Sequence, residues 1–181
     1  MKHTAPWRAA LLCGLLLCLA LLTACGGSSA KAETAGSCTV SISCAAILDN
    51  LDQLKAAKAD YVPADGVILP ETEVSFAEGE TAFDLLQRVC RDNGISMESS
   101  WSPLYKSAYI EGIANLYEFD CGKLSGWMYS VNGEFPNYGC SGYTLRDGDV
   151  ICWVYTCDLG EDVGGGYAGR RRINATERPT D

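Results

Sequence analysis

Between Ala9 and Ala24 the chain runs 16 residues without a charge, behind a start, Met1 to Arg8, that carries Lys2 and Arg8 and no acid. A basic opening followed by an apolar stretch is the pattern of a secretory signal. A membrane-spanning helix needs about 20 apolar residues, and no stop-transfer pattern follows. Residues 1–24 are therefore expected to be removed, and the fold must be built downstream. Between two compositionally odd ends lies a stretch of about 120 residues, enough for one modest core that cross-links would help.

The signal ends in Leu22-Thr23-Ala24-Cys25-Gly26, which resembles the bacterial lipobox. The resemblance implies diacylation of Cys25 and retention at the cell membrane, lipid-anchored and facing the extracellular side, because two acyl chains anchor stably where one does not. Without residues 1–24 the chain has 12 Lys plus Arg against 23 Asp plus Glu, a net charge of −11. Phosphate neutralisation needs clustered cations, so nucleic acid is not an expected partner.

Residues 25–36 are small and polar and read as a flexible tether, reaching at most some 35–40 Å. Residues 161–181, with Gly164-Gly165-Gly166 and Arg170-Arg171-Arg172, lack apolar periodicity and read as a disordered tail. Within 37–160, Thr39 to Ser43 alternates as a strand, and Ile47, Leu51 and Leu54 have the spacing of an amphipathic helix to about Ala59. Pro63-Ala64-Asp65-Gly66 signals a turn, and Glu73 to Phe76 a second strand. Thr81 with Asp84 starts a helix by a capping box, and Gly94 ends it. Ile95 to Ser99 reads as extended. Trp127 to Val131 reads as a strand entering a tight Asn132-Gly133 turn. Val150 to Thr156, apolar on both faces, reads as a central strand. This order predicts an α+β fold.

Three segments, Ser125 to Gly133, Pro136-Asn137-Tyr138-Gly139 and Leu145 to Tyr155 with its Arg146-Asp147-Gly148-Asp149 turn, carry a family likeness. Together with flanking residues from about 70 to 159, the chain resembles the C-terminal domain of the transcobalamin and intrinsic-factor type, as it occurs on bacterial surface proteins. The resemblance implies a small β-grasp-like domain, a mixed sheet packed on one main helix. In the animal vitamin carriers this domain closes over cobalamin against a helical barrel. Here the barrel has no counterpart, so half of such a cavity would have to come from another protein.

Seven cysteines besides Cys25 follow the signal. In an oxidising compartment they predict a disulfide-stapled domain. Cys38, Cys44, Cys90, Cys121, Cys140 and Cys157 are the disulfide candidates, with 15 possible connectivities. Cys38 and Cys44 stand about 20 Å apart along one strand, too far to pair with each other. Cys121 and Cys140 flank the hairpin and are placed to close it, while Cys44, Cys90 and Cys157 are placed to tie elements together. Cys152, in Val150-Ile151-Cys152-Trp153, is expected to be the odd cysteine, buried like a small apolar residue.

No catalytic constellation is expected. The only histidine, His3, lies in the signal, which removes Ser-His-Asp and Cys-His nucleophile systems. No Cys-x-x-Cys is present for zinc or dithiol chemistry, and no phosphate loop or dinucleotide fingerprint occurs, so no cofactor or metal is expected. Asp147 and Asp149 read as a turn. Asp158, Glu161 and Asp162 lack an EF-hand pattern. Aromatic density stands out instead: residues 101–143 hold ten of the chain's 17 aromatic residues. Tyr and Trp are favoured where a surface must be both apolar and wet, and Trp101, Tyr105, Tyr109, Trp127, Phe135 and Tyr138 form the expected binding face. The expected function is a non-catalytic module binding a corrinoid or a surface protein partner. The alternative is a structural or adhesion domain with no small-molecule ligand.

Overall fold

The computed structural model describes residues 34–166. The signal, Cys25 and the triple arginine lie outside the described residues. Among the described residues seven strands form two sheets, accompanied by one α-helix. Strand β1 (Thr34–Ser43) pairs antiparallel with β2 (Val67–Ala77) and parallel with β7 (Val150–Thr156), which pairs antiparallel with β6 (Gly126–Val131). Their order is β2-β1-β7-β6. Helix α1 (Ala82–Asp92) follows β2, and a second, antiparallel sheet is built from β3 (Met97–Ser102), β4 (Ser107–Ile113) and β5 (Leu116–Tyr117). The fold is thus α+β with one main helix, but with two sheets where one was expected.

Helix α1 forms where its caps predict. The Asp84 amide donates to Thr81 Oγ1 at 3.2 Å, and the Thr81 amide donates to the Asp84 carboxylate at 3.0 Å, so two otherwise unpaired donors are satisfied reciprocally. At the other end Gly94 takes φ +66°, and the Ile95 amide reaches back to the Cys90 carbonyl at 2.8 Å, the bond of a Schellman stop. The helix buries Ala82, Leu85, Leu86, Val89 and Cys90. They pack in one core with Val40, Ile42, Ile151 and Trp153 of the first sheet and Ile110 and Ile113 of the second. Thr81→Ala is expected to cost about 1 kcal/mol, read as a lowered thermal midpoint that Thr81→Ser restores. An unchanged midpoint in the alanine variant would show that the cap contributes nothing.

The central position of β7 agrees with its sequence. Ile151, Trp153 and Tyr155 are buried along one face, and Cys152 and Val154 are half-buried on the other. The Asn132-Gly133 turn forms, with both residues at positive φ and reciprocal hydrogen bonds between Val131 and Glu134. It does not join two long strands, however. Only the Val131–Glu134 bridge follows it, and the ladder partner of β6 is β7, reached after residues 134–149.

Two local expectations are corrected. Residues 47–59 are not an α-helix. Short 3-10 turns at Ala45–Asp49 and Ala56–Tyr61 flank a break in which Leu51 is exposed and Leu54 bridges Cys121. Of the three spaced residues only Ile47 is fully buried, so there is no continuous apolar face for a helix to bury. Strand β1 begins at Thr34, inside the stretch expected to be tether, because Thr34 and Gly36 pair with Ala77 and Phe76.

The expected disulfides are not formed. All seven described cysteines are free, including the candidates Cys38, Cys44, Cys90, Cys121, Cys140 and Cys157. The two cores explain part of this. Cys38, Cys90 and Cys140 lie in the helix-backed core, while Cys44, Cys121 and Cys157 share a smaller one with Ile47, Leu116 and Tyr155. The expected closure of Cys121 onto Cys140 would have to cross between them. Cys152 is also corrected. It is the one described cysteine that is not buried, because its side chain leaves β7 opposite Ile151 and Trp153.

Candidate functional site

The β3–β4 hairpin carries the most exposed apolar side chains. Ser102 pairs with Ser107, leaving 103–106 as the tip, with Lys106 at φ +48°. Trp101, Leu104 and Tyr105 are 62%, 81% and 70% exposed. Trp101 stands opposite Ala108 and Tyr109 opposite Ser100, on adjacent rungs, so their rings leave the sheet on opposite faces. The tip end of the hairpin is tied to the segment that carries Tyr138. The Ser141 amide donates to Ser107 Oγ at 3.1 Å, and the Ala108 amide donates to Ser141 Oγ at 3.0 Å. Gly139 lies so close to Ser107 that a Cβ would stand 2.1 Å from its hydroxyl oxygen. Tyr129 OH donates to the Tyr138 carbonyl at 2.9 Å, and the Tyr138 side chain is half exposed. Trp101, Leu104, Tyr105 and Tyr138 thus belong to one end of the domain.

Tyr109 faces the other side of the hairpin, where its hydroxyl donates to Glu118. Burial first, and then the Glu118 carboxylate, push its phenol up to about 12. Beside it Tyr117 OH donates to Glu98 at 2.5 Å, and that carboxylate, ahead of burial, raises the Tyr117 phenol. The Tyr117 ring lies over Gly112, where a Cβ would be 2.7 Å away, and Lys58 Nζ sits 4.5 Å from its centroid. This geometry is that of a cation–π contact. Lys58 and Lys55 meet Asp120 at 3.1 and 3.0 Å.

Two of the expected face residues have partners inside the domain. The Trp127 indole donates to the Leu116 carbonyl at 2.8 Å and meets Tyr155 edge-on at 5.3 Å, between the two cores. Phe135 is half-buried, with Gly165 seated against its ring. Sequence reading passed over Leu104, by attending to aromatic residues only, and over Phe119, which is 54% exposed at φ +63°.

Asp147, Asp149 and Asp162 brace turns and strand ends. Asp149 is buried and accepts hydrogen bonds from Asn132 Nδ2, Tyr143 OH and the Arg146 amide at 2.8–2.9 Å, and Asp147 accepts the Ser37 amide at 2.8 Å. Asp162 accepts from the Thr156 hydroxyl and the Cys157 amide. Among the described residues no three His, Cys, Asp or Glu side chains converge as a metal-binding group.

Residues 79–157 match the model of a family described as a domain of unknown function, DUF4430. The matched segment runs from the turn before α1 to just past β7 and falls within residues 70–159, the stretch that carries the family likeness. It includes the hairpin, Tyr138 and five of the seven free cysteines of the described residues. No curated protein matches this chain. Among solved structures, a candidate metal binding protein from Ruminococcus gnavus shares 17% identity at a TM-score of 0.38, over 67% of this chain and 96% of that one. Haptocorrin in complex with Cbi shares 17% identity at a TM-score of 0.44, over 70% of this chain and 27% of that one. This chain therefore spans about a quarter of the haptocorrin length. Neither likeness is close enough to transfer a ligand or a residue role.

Proposed function

We propose that this chain is a non-catalytic binding module held at the outer face of a membrane through lipidated Cys25. The observation that carries the reading is the exposure of Trp101, Leu104 and Tyr105 together at the tip of one hairpin. Rigid aromatic side chains gain contact area at low entropic cost and dominate binding hot spots. Tyr138, fastened beside the tip end of the hairpin, extends the same face. The four-stranded sheet, with its central parallel pair β1 and β7 and the helix on one side, is read as β-grasp-like. In keeping with the family likeness of residues 70–159, the ligand class put forward is a corrinoid, whose flat conjugated ring is suited to lie against tryptophan and tyrosine.

The test is a titration of the full chain in detergent with cyanocobalamin, following corrinoid absorbance and tryptophan fluorescence. Saturable binding is expected, weakened tenfold or more in a Trp101→Ala/Tyr105→Ala double variant, about the loss of one hot spot. Absence of any spectral change at high micromolar ligand would overturn the corrinoid assignment. Binding left intact in the double variant would overturn the placement of the face.

A further inference from the structure

We propose that residues 167–181 of this chain dock back across the open face of the four-stranded sheet, held there by Arg170, Arg171 and Arg172 against Glu73. This goes beyond the binding reading and uses none of its face residues. On the open face Glu73, Thr39 and Val150 stand side by side across β2, β1 and β7. Ser41, Cys152 and Ser130 form the next rung, across β1, β7 and β6. The helix and the second sheet pack on the opposite side, and none of these six residues belongs to either buried core. Cys152 is accordingly the one described cysteine that is not buried.

The last described residues lie at the border of this face. The Gly160 amide donates to Thr156 Oγ1 at 2.7 Å, and the Gly165 amide donates to the Gly160 carbonyl at 2.8 Å. A Cβ on Gly160 would stand 2.8 Å from Met128 Sδ, and one on Gly165 would stand 2.7 Å from the Phe135 ring. Met128 projects from the open face beside Val154, two residues before Ser130. The chain therefore leaves Gly166 from the β6 side of the sheet. Three strand spacings, about 14 Å, separate β6 from β2. Arg170 to Arg172 follow Gly166 by four to six residues, an extended reach of about 13–20 Å, which brings them to Glu73.

Charge selects the occupant. Residues 34–166 carry 7 Lys plus Arg against 20 Asp plus Glu, a net charge of −13. Residues 167–181 carry four Arg against Glu177 and Asp181, a net charge of +2. Glu73 is exposed, and no Lys or Arg among the described residues forms an ion pair with it. A second copy of the domain would bring another strongly negative surface to the same face, whereas the arginine run brings the opposite sign. Exposed ion pairs are individually weak and screened by salt. Covalent connection offsets that weakness by raising the effective concentration of the segment at the face.

Cys152, at the centre of the face, reports on the contact. The full chain in detergent and reductant is treated with iodoacetamide, and alkylation of the Cys152 peptide is followed by mass spectrometry. At about 0.1 M NaCl, Arg170→Glu/Arg171→Glu/Arg172→Glu is expected to alkylate there about fivefold faster than the unaltered chain, the ratio for a segment seated four-fifths of the time. In about 1 M NaCl, where screening acts within about 3 Å, the unaltered chain is expected to reach the rate of the variant. Glu73→Lys is expected to lose the protection as well, and adding it to the triple variant is expected to restore it. Equal rates in the unaltered and triple-variant chains at low salt would overturn the inference. So would protection that grows with chain concentration, which assigns the segment to the face of a second copy. A swapped chain that stays fast would overturn the placement at Glu73. If the triple variant does not fold, a rate in the unaltered chain that salt leaves unchanged overturns the inference.

Discussion

Replacing Asp120 by Asn is expected to lower the unfolding free energy by about 2–3 kcal/mol at pH 7, the cost of breaking a largely buried ion pair, reduced because Lys55 is well exposed. The Asp120 side chain is only 4% exposed and accepts hydrogen bonds from the Tyr117 amide at 2.8 Å and from Lys55 at 3.0 Å, with Lys58 at 3.1 Å. Burial alone would push its carboxyl up, but the Tyr117 amide and the two lysines outweigh it and hold the group below its ordinary 3.8. A carboxyl with a depressed folded-state pKa contributes stability that is fully present above the unfolded value and is lost as pH falls through the folded one. The gap between wild type and Asp120→Asn should therefore be constant from pH 7 to about pH 5 and narrow below about pH 4. Urea melts at pH 7, 5 and 3 measure it. A gap that widens on acidification would contradict the assigned role.

The second large effect concerns a glycine. Gly66 sits at φ +70° with Ala45 Cα only 2.5 Å from where its Cβ would be, while its carbonyl accepts the Cys44 amide at 2.7 Å. Gly79 shares the positive φ, +78°, but has open space around it. Gly66→Ala is expected to cost about 3 kcal/mol, combining left-handed backbone strain with displacement of the Ala45 backbone. Gly79→Ala is expected to cost about 1 kcal/mol, the strain alone. Equal losses in the two variants would show that the close approach at Ala45 is relieved without cost.

What could be read from the sequence was local. Helix α1 was legible because Thr81, Asp84 and Gly94 each act on neighbours within four residues. Strand β7 was legible as central because it is apolar throughout, although only the face of Ile151, Trp153 and Tyr155 is fully buried. The Asn132-Gly133 turn was legible from its own backbone needs, but not the partner of β6, which returns only after residue 149. The spacing of Ile47, Leu51 and Leu54 misled because Leu54 is held by Cys121, far along the chain. The same limit applies to the candidate face. Trp101, Tyr105 and Tyr138 are exposed on loops and strand ends, as their polar and turn-rich surroundings imply. Trp127 has its partner in the Leu116 carbonyl and Tyr155 ring, contacts that no spacing within its own strand reveals. The cysteines divide between two cores for a related reason. Alternation places Cys38, Val40 and Ile42 on one face of β1 and Cys44 just past its end, but where the buried side passes from one core to the other depends on what packs above it.

The parallel pairing of β1 with β7 bears on the order of assembly. Thr39 and Val150, partners in that ladder, are 111 positions apart. Until β7 is available, β1 has only β2 beside it and the sheet has no centre. Such non-local pairing slows folding, since the entropy of closing the long intervening loop is lost before the contact is gained. A chain emerging from its first residue onward would leave this sheet without its centre until position 150 had appeared.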